Sequence, residues 1–89
     1  MKAPTLTLVE LLQELIRIPS ANPPGDCREI AVYCDQFLRA AGFATHLVAP
    51  DNRAWSVVGV LACGAGPSLL YHAHIDTVPL GQNARWTYD

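Results

Sequence analysis

The segment richest in chemistry is Tyr71–Pro79, YHAHIDTVP, which holds two histidines and an aspartate at alternate positions. In an extended chain alternate side chains share a face, so His72, His74 and Asp76 can project together, with about 6–7 Å between successive Cα atoms of the series. A carboxylate at this reach can accept a hydrogen bond from one imidazole nitrogen while the other nitrogen binds a metal ion. The spacing makes a metal or catalytic site feasible. A strand-end histidine capped by a turn aspartate stays open as the alternative.

A first helix is predicted to begin near Thr7, well before this segment. Thr7 and Glu10 fit the capping box, in which each side chain accepts a hydrogen bond from the other residue's backbone N–H. Leucine and isoleucine then recur at helical spacing as far as Ile16. Pro19 is expected to end the helix, because the helical conformation is disfavoured for the residue before a proline. Residues 19–26, PSANPPGD, are predicted as a loop.

A second helix is predicted over residues 27–41. Asp26 and Glu29 supply another capping pattern before an apolar stripe at helical spacing. Gly42 suits the position after the helix, where a positive φ is common. Cys27 and Cys34 are expected to be small hydrophobic residues on this helix rather than nucleophiles.

The period of the sequence changes after this helix and predicts three strands, at residues 43–48, 55–62 and 68–75. The third has a nearly continuous apolar start, which suggests burial on both faces. The expected fold is therefore α/β, with two N-terminal helices packed on a partial mixed sheet. The histidines and the aspartate would lie at the carboxyl end of the third strand, where functional groups of such sheets gather.

Composition limits the class of protein. The chain has 89 residues, a net charge of −2 and 51% hydrophobic residues, which fits one small unit and gives no electrostatic basis for binding nucleic acid or an anionic membrane. Three cysteines without a CxxC pair indicate reduced thiols. Charged residues interrupt the N-terminal apolar pattern too often for a signal peptide or a membrane span. A cytoplasmic, water-soluble chain is expected.

The segment LLYHAHIDTVPLG closely resembles the signature of the di-zinc aminoacylase and carboxypeptidase family, apolar-apolar-x-x-Gly-His-x-Asp-Thr-Val-Pro. This family includes acetylornithine deacetylases, succinyl-diaminopimelate desuccinylases and glutamate carboxypeptidases. Three further blocks resemble the family in the right order: LLQELIRIPSANPPGD, EIAVYCDQFLRAAGF and RWTYD. The resemblance implies that residues 1–89 are the N-terminal part of an α/β/α metallohydrolase catalytic domain, without the lid and dimerisation domain.

The resemblance also implies roles for two residues. His74 would be a metal ligand, and Asp76 would be the catalytic-site carboxylate that orients it and tunes the metal. The intact site would hold two zinc ions, with cobalt or manganese as substitutes, and would hydrolyse the amide bond of an N-acyl amino acid or small peptide. The other ligands and the general base lie downstream in the family, and the intact enzymes are homodimers. The 89-residue chain is therefore expected to be inactive alone. It is also expected to self-associate, because nothing in it would pair the other edge of the predicted third strand.

The chain departs from the family pattern at three positions. Ala73 stands where glycine is usual, which adds a methyl group near the metal. Ser56 stands where an asparagine often leads the second strand. His72 occupies a variable position, so the resemblance assigns it no role, and a core or rim histidine is expected there. His46 is expected to face outward from its strand.

Two other interpretations are open. His72 and His74 also fit the His-x-His pair of amidohydrolase-type metalloenzymes, in which both histidines bind metal. A non-catalytic α/β interaction module with structural histidines is the third possibility. An in-frame Glu-Glu pair and further acidic and histidine ligands beyond codon 89 would distinguish the first family from such a module.

Overall fold

The computed structural model describes residues 5–81. The block RWTYD at residues 85–89, which resembles the family, lies outside them. The sheet is antiparallel and two-stranded, with register from Ala44 opposite Val60 to Val48 opposite Ser56. The α/β class is confirmed. No helix within residues 5–81 is long and apolar enough to cross a membrane. The elements in chain order are helix α1 Leu8–Arg17, helix α2 Arg28–Ala40, strand β1 Ala44–Val48 and strand β2 Ser56–Val60.

Helix α1 begins at the predicted capping box. The Glu10 amide donates to Thr7 Oγ1 over 3.1 Å, and the Thr7 amide donates to Glu10 Oε1 over 3.0 Å. The helix ends before Pro19, with Ile18 already in an extended conformation. No residue of α1 is buried, and its apolar stripe, which includes Leu8 and Ile16, lies largely exposed. Local signals therefore define α1, whereas packing contributes little to it.

Helix α2 supplies the small buried core of the described chain. Ile30 and Ala31 are buried on its inner face, next to the buried Cys27 at its start. This helix contacts both strands of the sheet. The predicted capping box at its start is wrong, because Cys27 is the N-cap residue and makes no side-chain cap. Asp26 instead accepts hydrogen bonds from the backbone and the guanidinium of Arg28.

The end of α2 follows the prediction at Gly42, whose φ is +96°. The Phe43 amide donates to the Leu38 carbonyl over 2.9 Å, and the Gly42 amide donates to the Arg39 carbonyl over 3.0 Å. These two bonds make a Schellman motif, which requires a left-handed residue where glycine stands. The chain thereby turns directly from the helix into β1.

Close packing between α2 and the sheet depends on Gly59 in β2. A Cβ atom at this position would lie 3.0 Å from Leu38 Cδ1 and 3.3 Å from a ring carbon of Phe43. The Arg39 guanidinium adds a polar link, because its Nε atom lies 2.8 Å from Thr45 Oγ1 in β1 and 3.2 Å from the buried Asp35 carboxylate of α2. The strands are thus held against one side of α2.

The turn between the strands is tied to the start of α2. Asp51 Oδ1 accepts hydrogen bonds from the amides of Arg53 and Ala54, at 2.8 and 2.7 Å. The Cys27 amide donates to the Arg53 carbonyl over 2.8 Å. The indole N–H of Trp55 donates to the Asp51 carbonyl over 2.9 Å. This turn brings Trp55 beside the loop that precedes α2.

The predicted third strand at residues 68–75 is wrong. No residue from 61 to 76 belongs to a strand, and the β2 strand pairs with β1 alone among the described residues. Strand propensity needs a neighbouring backbone to pair with, and here the chain leaves the sheet after β2. Leu70 and Tyr71 consequently stay 85% and 86% exposed. The chain returns instead to the loop before α2, where Thr77 forms an isolated parallel bridge with Ala21.

Candidate functional site

His72, His74 and Asp76 share the wall of one cleft of about 350 Å³, although they lie in a segment without regular secondary structure. Their predicted convergence is therefore observed, but their predicted position at the end of a strand is not. The loop before α2 and the start of β2 also line this cleft. The cleft also includes Asn22, Cys27, Trp55, Ser56 and Ala73.

A larger cleft of about 720 Å³ shares Trp55 with the first cleft. It includes Asp26 and Arg28, which bind each other through a 2.8 Å ion pair. None of the histidines or Asp76 lines this larger cleft. We therefore place the candidate site in the smaller cleft, where the side chains capable of binding metal lie.

His74 and Asp76 form the central contact of the site. The Nδ1 atom of His74 lies 3.0 Å from Asp76 Oδ1 and 2.8 Å from the carbonyl oxygen of Asp76. Both partners are acceptors, so the neutral ring carries its proton on Nδ1 and leaves a lone pair on Nε2. The His74 side chain is 83% exposed, so Nε2 is open to a ligand.

Asp76 is held from its other side by Asn22. The amide nitrogen Nδ2 of Asn22 donates to Asp76 Oδ2 over 3.2 Å. This hydrogen bond lowers the pKa of Asp76 below its ordinary value, and the charge and hydrogen bond of His74 lower it further, against an opposing effect of desolvation. Asp76 is therefore ionised at neutral pH, as a carboxylate that orients an imidazole must be.

A backbone clamp fixes the segment that carries Asp76. The Asn22 amide donates to the Thr77 carbonyl over 2.8 Å, and the Thr77 amide donates to the Ser20 carbonyl over 3.0 Å. The Ser20 hydroxyl, on a residue only 3% exposed, donates to the Ile75 carbonyl over 3.0 Å. These bonds place Asp76 between two residues that are both anchored to the loop before α2.

The other residues singled out from sequence have simpler surroundings. His72 is exposed at the rim of the cleft and has no hydrogen bond with the described residues. His46 is exposed on β1, as expected. Burial raises the pKa of the Cys27 thiol, and the charges of Asp76 and Asp26 raise it further, so this thiol stays protonated. Cys27 therefore acts as a small buried residue and not as a nucleophile.

The donor set fits one metal ligand and the residue that orients it. Zinc accepts imidazole nitrogen, and metal-bound histidines usually donate their other ring N–H to a carboxylate or a carbonyl oxygen. The bonds of His74 Nδ1 to Asp76 have this form. Within residues 5–81 there is no group of three or more histidine, cysteine, aspartate or glutamate side chains that could hold a metal ion. His74 and Asp76 thus have the chemistry of one ligand and its orienting partner, and the described residues do not by themselves form a metal site.

Sequence reasoning missed Ser20 and Asn22. Both lie in the loop PSANPPGD, more than fifty positions before the residues that they bind, Ile75 at a separation of 55 and Asp76 at 54. Turn-forming composition marked this loop, but composition does not indicate which distant segment a loop contacts. A serine one position after the helix-ending Pro19 and an asparagine three positions after it are the only local signal.

Comparison with known proteins gives matches among curated sequences. The chain is 36% identical over 86 residues to a succinyl-diaminopimelate desuccinylase of Methylocella silvestris, covering 93% of this chain and 22% of that protein. It is 33% identical over 87 residues to the enzyme of the same name from Rhodopseudomonas palustris strain HaA2, covering 94% and 22%. It is 31% identical over 83 residues to the succinyl-diaminopimelate desuccinylase of Legionella pneumophila strain Corby, covering 90% of this chain and 20% of that protein.

The extent of these matches limits what they establish. The chain spans about a fifth of the length of the curated relatives it matches. No protein-family model matches it, and no solved structure gives a significant match. The relatives are desuccinylases, which are hydrolases, so the similarity supports a relationship to a hydrolase family over that fifth of their length.

Proposed function

We propose that this chain forms the N-terminal part of the catalytic domain of a metal-dependent amide hydrolase, in which His74 binds one metal ion and Asp76 orients His74. The observation that carries the proposal is the contact of His74 Nδ1 with Asp76, at 3.0 Å to Oδ1 and 2.8 Å to the carbonyl oxygen. The similarity to desuccinylases along almost the whole chain supports the reaction class.

The chain's own residues would act by position and charge. Asp76 keeps the proton of His74 on Nδ1 and stops the ring from rotating, so Nε2 presents its lone pair to the cleft. The negative charge of Asp76 also makes the imidazole more basic, which strengthens its bond to a cation. A zinc ion held there, with cobalt or manganese as substitutes, would acidify a water molecule and polarise the scissile carbonyl group.

The names of the relatives support a substrate class for this proposal. An N-succinyl amino acid such as succinyl-diaminopimelate is the first candidate, because the matching proteins carry that name. Other N-acyl amino acids and small peptides fit the same chemistry. Cytoplasmic location, two metal ions in the intact site and a homodimeric intact enzyme belong to the same proposal.

A chimeric enzyme tests this proposal. Residues 1–89 would replace the matching segment of the Methylocella silvestris desuccinylase, and hydrolysis of succinyl-diaminopimelate would be measured with added zinc. We expect the chimera to be active. His74→Ala should lower its activity by about 100-fold or more, because loss of a residue that only orients a ligand costs about 10- to 100-fold. A folded, zinc-loaded chimera without activity would contradict the proposal.

His72 gives a matched control and also tests the second candidate. Both histidines line the cleft, which is the observation that keeps a His72–His74 metal pair under consideration. Of these two histidines, only His74 has a hydrogen bond to a carboxylate among the described residues. We therefore expect His72→Ala to keep zinc content and activity close to those of the parent chimera. Equal loss of zinc in the two variants would favour the amidohydrolase-type pair.

A further inference from the structure

The two carboxylate oxygens of Asp76 have different partners. Oδ1 accepts from His74 Nδ1 over 3.0 Å, and Oδ2 accepts from Asn22 Nδ2 over 3.2 Å. The two donors come from distant parts of the sequence, because His74 lies two residues before Asp76 and Asn22 lies 54 residues before it. A carboxylate held at both oxygens has one preferred rotation about its Cβ–Cγ bond.

We propose that Asn22 is a positioning residue of the site, whose side-chain amide sets the rotation of the Asp76 carboxylate and thereby the tautomer of His74. This inference rests on the proposed function, because the tautomer matters for catalysis only if His74 Nε2 binds metal. Asn22 acts through Asp76 and would touch neither substrate nor metal.

The backbone clamp explains why the side chain of Asn22 is needed. Hydrogen bonds to Ile75 and Thr77 fix the backbone on both sides of Asp76. They leave the terminal torsion of the aspartate side chain free, and such torsions have broad minima. Of the hydrogen bonds between the two segments, the one from Asn22 Nδ2 is the one that reaches the carboxylate. It therefore restricts the one degree of freedom that the clamp leaves.

The loop is also shaped around the Asn22 side chain. Gly25 has a φ of +76°, and a Cβ atom there would lie 3.1 Å from Asn22 Cγ and 3.2 Å from Asn22 Oδ1. The Gly25 amide donates to the Ala21 carbonyl over 2.9 Å, which closes the turn over this side chain. Glycine at position 25 thus leaves room for the Asn22 amide group.

Nitrogen NMR of the 89-residue chain labelled with ¹⁵N-histidine tests the inference directly. Spectra recorded at about pH 8.5, about two units above the ordinary imidazole pKa, report the tautomer of each neutral ring. His46 and His72 are exposed and serve as internal references. We expect His74 to carry its proton mainly on Nδ1, unlike these two rings.

The variants Asn22→Ala and Asn22→Leu remove the donor, and Asn22→Leu keeps a side chain of similar size. Each should lower the ratio of the Nδ1–H to the Nε2–H tautomer of His74 by about 3- to 10-fold, the effect of losing one hydrogen bond. Ser20→Ala is the matched control, because it removes a bond between the same two segments without touching the carboxylate. It should change the ratio less than either Asn22 variant does, because the two backbone bonds with Thr77 remain.

The results separate a positioning role from a structural one. An unchanged His74 ratio in both Asn22 variants would overturn the inference, and so would an equal change in Ser20→Ala. The backbone amide spectrum of each variant shows whether it folds. If Asn22→Ala does not fold, the result for Asn22→Leu is used instead. Measurement of the tautomer ratio needs no metal, so the two proposals can fail separately. An inactive chimera would reject the proposed function. A change of the tautomer ratio in the Asn22 variants would still uphold the positioning role of Asn22.

Discussion

His74 Nδ1 lies within 3.0 Å of two oxygen atoms of one residue, the Oδ1 atom and the backbone carbonyl oxygen of Asp76. One N–H group shared between these acceptors fixes both the rotation of the ring and its tautomer. A spacing of two residues makes this contact possible without any regular secondary structure. The contact between His74 and Asp76 is thus local in the sequence, whereas the hydrogen bonds that hold Asp76 in place come from the distant loop before α2.

Replacing the orienting carboxylate tests that geometry. Asp76→Asn puts an amide N–H group toward either His74 Nδ1 or Asn22 Nδ2, both of which are donors. We expect zinc affinity in the chimeric enzyme to fall by about 10- to 100-fold, as when an outer partner of a metal-bound histidine is lost. Competition with a chelator measures this zinc affinity. Glu14→Gln, an exposed change in α1, is the control, and unchanged zinc affinity in Asp76→Asn would contradict the role of the carboxylate.

The ion pair before α2 predicts a pH dependence. Hydrogen bonds from Arg28 lower the pKa of Asp26 from 3.8 to about 2. Because the pKa in the folded chain is the lower one, ionised Asp26 stabilises the fold above about pH 3.8, and this contribution is lost as pH falls toward about 2. The contribution is small, since the pair is exposed.

Carbon NMR of the Asp26 carboxyl group measures this shift. We expect a titration midpoint near 2 in the parent chain and a midpoint closer to 3.8 in Arg28→Gln. Arg17→Gln, which changes an exposed arginine in α1, should leave the Asp26 midpoint where it is. A midpoint near 3.8 in the parent chain would show that the ion pair does not form in solution.

The stability of α1 should depend on its capping box. No residue of this helix is buried, so local interactions carry most of its stability. Thr7→Ala removes the oxygen that accepts from the Glu10 amide and should cost the helix about 1 kcal/mol. Circular dichroism should show less helix with little change in the unfolding of α2 and the sheet. Thr5→Ala, outside the helix, should have no effect, and equal helicity in both variants would contradict the prediction.

Self-association is expected of the isolated chain. Leu69, Leu70 and Tyr71 are 78%, 85% and 86% exposed, and they adjoin one another in sequence. Contiguous exposed apolar groups of this kind favour association. Sedimentation velocity should show oligomers that diminish in the double variant Leu69→Lys with Leu70→Lys. Gln13→Lys with Gln36→Lys adds the same charge at exposed polar positions and should not have this effect. A monodisperse monomer in the parent chain would contradict the expectation.

Features that depend on neighbours along the chain could be predicted from the order of the residues alone. The capping box of Thr7 and Glu10, the helix end before Pro19 and the turn at Gly42 all arise from contacts within five residues. The two strands of the hairpin were predicted for the same reason. Histidine and aspartate two positions apart likewise made the His74–Asp76 contact predictable.

Contacts between segments distant in the sequence depend on the path of the folded backbone. The apolar residues 68–75 have the composition of a strand, but pairing depends on a free neighbouring backbone, and the chain passes instead to the loop before α2. The Asn22 bond to Asp76 joins residues 54 positions apart, and no periodicity or capping rule extends that far. Side-chain type sets what each residue can bind, whereas the path of the whole backbone sets which partner it reaches.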